Sequence, residues 1–165
     1  MLYLVTFTTH NSRISDRMVT FCSPEFIKNL KPFLLLDSDY LKMIDLVAEA
    51  ITKYKIVTIA FTVIPDHVHL LVDVKNKKEL NEQIRKLKGF TSYQFQRYKE
   101  WKKGENHVWS QKFHKKEVDS ELNNIARVVN YIHKNTEKHY KRWGNLLNES
   151  KPLLKKLNEK NCNQL

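Results

Sequence analysis

The run Ile64-Pro65-Asp66-His67-Val68-His69-Leu70-Leu71-Val72-Asp73-Val74 limits this chain more than any other stretch. Lys55 to Ile64, rich in Val, Ile and Thr, reads as a strand, and His67 to Val74 reads as a second. With only Pro65-Asp66 between them, the two pair as a tight hairpin. Side chains alternate along a strand, so His67 and His69 share one face while Val68 points into a core on the other. Two imidazoles on one face can hold a single metal ion. Alone the pair is a weak motif, because a buried histidine more often serves packing.

The other elements follow from periodicity. Leu2 to Thr8 alternates as a first strand. The stretch from His10 to Leu36 is irregular, with a short strand expected at Met18 to Phe21 and a short helix capped by Ser23 and opened by Pro24. Asp37 or Ser38 caps a helix whose stripe is Leu41, Ile44, Ala48 and Ile51, widened by Tyr40 and Val47. Asn76 to Glu79 opens a second long helix with Leu80, Ile84, Leu87, Thr91, Phe95 and Tyr98 inward, ending near Gly104. Gly89 lies inside it and would permit close approach of another backbone. A short strand falls at Phe113 to Glu117. A third helix, capped by Asp119 and Ser120, runs to about His139 with Leu122, Ile125, Val129 and Ile132 buried. This order predicts an α+β, ferredoxin-like sandwich: an antiparallel sheet with helices packed on it. Residues 1–140 are expected to form one domain and residues 141–165 a basic C-terminal tail, with a short helix at Pro152 to Glu159.

Charge narrows the partners. The 165 residues carry 29 Lys and Arg against 18 Asp and Glu, a net charge of +11, which favours a polyanion such as nucleic acid. The cations cluster, and the candidates for DNA contact are Arg85, Lys88, Arg97, Lys112, Lys116 and Lys138. Phe90, Tyr93, Phe95, Tyr98, Trp101, Trp109 and Phe113 are interleaved with them, rings that suit single strands, although about half are expected in the core. Cys22 and Cys162 make no disulfide framework, and no apolar run is long enough to span a bilayer. A cytoplasmic protein with no membrane partner is the expectation.

The third helix can complete the histidine pair. Tyr131 and Asn135, four residues apart, share one of its faces. An amide oxygen can join two imidazoles on Mg²⁺ or Mn²⁺ with positions left for phosphate oxygens. A phenol can attack phosphorus in line, expel a 3′-oxygen and leave a 5′-phosphotyrosine. A free phenol has a pKa near 10 and needs help, for which Lys138 and His139 are the nearby candidates. Singly, Tyr131 reads as a core-edge tyrosine and Asn135 as an ordinary residue near a helix end; together with His67 and His69 they read as a site.

These residues bring a family into view. Pro65 to Val72 resembles the histidine–hydrophobe–histidine (HUH) signature of the single-tyrosine transposases. Leu87-Lys88-Gly89-Phe90-Thr91-Ser92 resembles the motif on the following helix, Val108 to Phe113 the tryptophan segment, and Tyr131-Ile132-His133-Lys134-Asn135 the nucleophile helix. Tyr3 to His10 resembles the first strand, so the likeness covers Tyr3 to His139 in the family's order. It implies a ferredoxin-like fold and metal-dependent cleavage and rejoining of single-stranded or hairpin DNA. His67, His69 and Asn135 match the metal ligands and Tyr131 the nucleophile. Asn at 135 resembles the REP-associated branch, although Thr136 stands where that branch often has Pro. Members occur as monomers or homodimers, and the sequence does not choose. Two rivals stand beside this reading: a metal phosphoesterase that uses water, and a non-catalytic nucleic-acid-binding relative.

Overall fold

The computed structural model describes residues 1–12, 16–36, 38–102, 104 and 106–143. The expected helix at Pro152 to Glu159, and the tail beyond Trp143, lie outside them. Four strands, β1 (Leu2–Thr8), β2 (Thr58–Ile64), β3 (His67–Asp73) and β4 (His114–Val118), form one antiparallel sheet in the order β2-β3-β1-β4. The helices are α1 (Asp16–Phe21), α2 (Pro24–Lys28), α3 (Ser38–Lys53), α4 (Lys77–Tyr98) and α5 (Leu122–Trp143). The expected α+β, ferredoxin-like architecture is the observed one.

Alternation along the strands builds two unequal layers. Tyr3, Val5 and Phe7 of β1, Phe61 and Val63 of β2, and Val68, Leu70 and Val72 of β3 enter the main core with α3 and α4. The opposite parity faces α5, where Ala60, Leu71 and Ile132 are buried among half-buried Leu2, Leu4, Val118, Ile125, Val128 and Val129. The pair His67 and His69 falls on this second face, as period two requires.

The hairpin turn has an unexpected support. A two-residue hairpin favours left-handed backbone, yet among the described residues only Asn11, Lys55, Glu100 and Gly104 have positive φ, and the turn has none. Neighbours hold it instead. The Thr9 N–H (2.9 Å), Thr9 Oγ1 (3.2 Å) and Ser12 Oγ (3.1 Å) all donate to the Asp66 carbonyl, and the Leu35 N–H donates to that of Pro65 at 2.8 Å.

Several boundaries differ from the periodic reading. Met18 to Phe21 belongs to helix α1 rather than a strand. The buried stripe of α3 is Tyr40, Met43, Ile44, Leu46, Val47 and Ala50. Leu41, Ala48 and Ile51 are only half-buried, because the helix turns its face to satisfy both the sheet and α4, and the buried Tyr40 hydroxyl donates to the Val63 carbonyl at 2.6 Å. Strand β2 starts at Thr58, since Lys55 is left-handed (φ 52°) and breaks the run. Helix α4 starts as expected, its Glu79 N–H capped by the Asn76 side chain at 2.9 Å, but it ends at Tyr98, where Glu100 at φ 55° reverses the chain. Tyr98 is therefore 42% exposed instead of inward. On α5, Leu122 is 84% exposed, because the helix meets the sheet only from Ile125 onward.

Ile132 is the one fully buried apolar side chain among the described residues of α5, so this helix is the less firmly held layer. Ile132→Ala is expected to cost about 2–5 kcal/mol. Hydrogen exchange should quicken in α5 while β3 stays protected; equal quickening in both would show that the two layers unfold as one.

Candidate active site

Strand β3 presents its imidazoles in a fixed chain of contacts. His67 Nδ1 lies 2.6 Å from Asp66 Oδ1, His67 Nε2 lies 3.1 Å from His69 Nε2, and His69 Nδ1 lies 2.7 Å from Thr6 Oγ1. Asp66, His67 and His69 are all buried. An ionised carboxylate can only accept, and the neutral His67 tautomer that donates from Nδ1 to Asp66 presents its lone pair at Nε2. The Thr6 hydroxyl can donate or accept. Rotating it lets His69 Nε2 either donate to His67 or offer a second lone pair. Two neighbouring ligands of an octahedral Mg²⁺-sized ion at about 2.1 Å lie about 3.0 Å apart, and the imidazole nitrogens stand at 3.1 Å. The donor set therefore fits a cation, and its outer partners orient both rings as metal-site histidines require.

No group of three His, Cys, Asp or Glu side chains suited to a metal occurs among the described residues. Asn135, the third candidate ligand, lies on α5 four residues after Tyr131. It is 3% exposed, and its Nδ2 donates to the Tyr131 carbonyl at 2.7 Å, which leaves Oδ1 as the ligand-type atom. Thr136 beside it shares a buried 2.8 Å hydrogen bond with Thr62, and Thr62 is the β2 register partner of His69. That bond fastens α5 to β2, the strand beside the histidine strand. The Tyr131 hydroxyl lies 3.4 Å from His69 Nε2, and the side chain is 48% exposed. Sheet and helix thus bring Tyr131 and the imidazole pair together within one chain.

The basic candidates are divided between faces. Lys116 pairs with Leu4 in register and Lys138 lies on α5, so both belong to the histidine side. Arg85, Lys88 and Arg97 lie on α4, the opposite layer, and Lys112 lies on the segment before β4. Lys88 is committed to the fold: its ammonium donates to the carbonyls of Ser110 (2.6 Å) and Gln111 (2.9 Å). Of the interleaved aromatics, Phe90, Phe95 and Trp109 are core, whereas Tyr93 and Tyr98 are exposed. The sequence reading missed the roles of Asp66 and Thr6. A carboxylate next to a ligand-type histidine was a usable signal for the first; Thr6 becomes visible only once β1 is registered on β3. It also missed His114, whose register partner Thr6 places it on the histidine face.

Burial pulls the Lys88 ammonium down to about 8 from an ordinary 10.5. Between those values the unfolded chain holds more protons, so this group's contribution to stability rises as pH climbs from about 8 to 10.5. The Lys88 Cε resonance should follow a titration near pH 8; a midpoint above 10 would show a solvated ammonium.

Comparison with known proteins identifies the fold and the family. No curated protein matches the sequence. Two solved structures share the fold, each at 17% identity and a TM-score of 0.51. One is a candidate transposase from Deinococcus radiodurans R1, with 81% of this chain and 89% of that one covered. The other is a REP-associated tyrosine transposase bound to a REP hairpin, with 84% and 67% covered. The sequence profile of the IS200-like transposases matches residues 27–135, more than half the chain and inclusive of His67, His69, Tyr131 and Asn135. The chain belongs to the IS200-like transposase family.

Proposed function

We propose that this transposase is a divalent-metal-dependent nuclease and strand transferase for single-stranded or hairpin DNA, acting through a 5′-phosphotyrosine on Tyr131. The observation that carries the reading is the Tyr131 hydroxyl 3.4 Å from His69 Nε2, with His67 Nε2 3.1 Å beyond. The hairpin bound by the REP-associated relative supports the choice of substrate.

Mg²⁺ or Mn²⁺ held by His67, His69 and Asn135 would polarise the phosphate oxygens and offset the charge that develops on them. Asp66 and Thr6 hold the two imidazoles in place. The Thr62–Thr136 bond holds α5 over the sheet, and with it the phenol. Tyr131 Oη attacks phosphorus as the bond to the 3′-oxygen breaks. The 3′-oxygen takes up a proton and leaves as a 3′-hydroxyl. The phenolic proton departs to solvent, which the half-exposed side chain reaches. One phosphoester replaces another, so a 3′-hydroxyl of a second strand can reverse the step and complete transfer. Lys116 and Lys138 supply cations on the same side. Because phenol and imidazoles meet within one chain, a single protomer suffices.

Incubation with labelled hairpin DNA and Mg²⁺, followed by denaturing electrophoresis, should give a covalent protein–DNA band. Tyr131→Phe should remove both band and cleavage and leave DNA binding intact. Cleavage that survives Tyr131→Phe would instead indicate attack by water; binding with no cleavage by the wild type would indicate a non-catalytic relative. Asp66→Asn should weaken Mn²⁺ binding, read by calorimetry, by roughly 10- to 100-fold. Unchanged affinity would mean that the carboxylate does not orient His67 for a cation.

A further inference from the structure

One register row crosses all four strands beneath the candidate site. Thr62 of β2 pairs with His69 of β3, His69 with Thr6 of β1, and Thr6 with His114 of β4. Paired residues project to the same face, so the four side chains stand in line on the side that carries α5. The β2 end of the row is covered, because the Thr136 and Thr62 hydroxyls share a hydrogen bond at 2.8 Å. The β4 end is open. His114 is exposed there, and among the described residues no hydrogen bond or ion pair engages its ring. A solvated edge strand accounts for charged neighbours such as Lys115 and Glu117. It does not account for an imidazole in line with His69.

The row has the spacing and direction that an in-line displacement needs. Adjacent strands lie about 4.8 Å apart, so the backbones of His69 and His114, two strands apart, are separated by about 10 Å. Thr6 between them is a short side chain, turned to His69 Nδ1 at 2.7 Å, which leaves room above it for a phosphodiester. Helix α5 packs on β2 and β3, so the Tyr131 phenol reaches His69 from the β2 side. In an in-line displacement the attacking and leaving oxygens lie on opposite sides of phosphorus. Attack from the α5 side therefore turns the 3′-oxygen toward β1 and β4, where His114 stands. Lys116 faces the same way, but it pairs with Leu4, two residues along β1 from the row.

We propose that His114 is the proton donor to the 3′-oxygen that leaves when Tyr131 attacks; this rests on the function proposed above. The bond from Tyr131 Oη to phosphorus forms and the bond from phosphorus to the 3′-oxygen breaks. An imidazolium N–H of His114 passes its proton to that oxygen. The products are the 5′-phosphotyrosine, a 3′-hydroxyl and a neutral imidazole. In the joining step the same imidazole takes the proton of the incoming 3′-hydroxyl as its oxygen attacks phosphorus, and the departing tyrosine oxygen regains a proton from solvent. Imidazole suits both steps, since its ordinary pKa of about 6.5 lets it give and take a proton near neutrality. A lysine ammonium, with an ordinary pKa of about 10.4, supplies charge but holds its proton too firmly for both.

The test compares two hairpin DNA substrates that differ in one atom, the leaving 3′-oxygen, which is replaced by sulfur in the second. A thiolate is a far weaker base than an alkoxide and leaves without a proton. Single-turnover rates of adduct formation are measured on both. His114→Ala should lose roughly 10²-fold or more on the oxygen substrate, the usual contribution of a general acid, and stay within about threefold of wild type on the sulfur substrate. Lys116→Ala, which removes a positive charge alone, should slow both substrates equally. His114→Gln supplies the same comparison should the alanine variant fail to fold by circular dichroism. Losses on the two substrates that agree within about tenfold would overturn the proton donor and leave the nuclease reading standing. Sulfur rescue of Lys116→Ala and not of His114→Ala would overturn it too, by moving the role to Lys116. A wild type that forms no adduct with either substrate would remove the nuclease reading, and the donor with it.

Discussion

The hydrogen-bond chain from Asp66 through His67 and His69 to Thr6 governs the arrangement of this molecule. It joins a turn, a central strand and that strand's neighbour in one buried row. Each imidazole is held from its outer nitrogen, so the inner nitrogens face each other. The turn that starts the row is held from outside, with three donors from the end of β1 and the loop after it converging on the Asp66 carbonyl. A change at Thr9 or Ser12 would therefore reach His67 without touching it.

The strand parity that forms this row was legible in the sequence. A two-residue turn between two β-prone runs fixed the register of β2 and β3, and period two then set His67 and His69 opposite Val68. The spacing of Tyr131 and Asn135 was legible for the same kind of reason, since four residues on a helix share a face. Less could be read where tertiary context decides. The α3 stripe rotates because that helix has two surfaces to satisfy. Helix α4 stops early because Glu100 adopts left-handed backbone, which no glycine announces. Lys88 looked like one more cation in a basic run, yet its ammonium closes the 110–112 segment. Thr6 could not be placed before β1 was registered on β3.

The two layers divide the labour. The side with α3 and α4 carries nearly all of the buried apolar surface and gives the sheet its rigidity. Helix α5 is attached through a smaller cluster and one buried hydroxyl pair, Thr62–Thr136. Rigid imidazoles with a more loosely attached phenol would suit the proposed transfer, in which Tyr131 carries a covalently bound strand between two steps. Among the described residues no helix is long and apolar enough to cross a membrane, and the surface cations are spread over both layers.

The central claim is that one chain holds both the imidazole pair and the tyrosine that acts beside it. A mixing experiment tests it most directly. Chains carrying His67→Ala and His69→Ala are combined with chains carrying Tyr131→Phe, under conditions that allow subunits to exchange, and the covalent DNA adduct is measured. The structure predicts no adduct from the mixture, since neither chain has a complete site. An adduct approaching a quarter of the wild-type yield would contradict it, because half of the dimers would be mixed, each with one complete site built from the phenol and the imidazoles of different subunits.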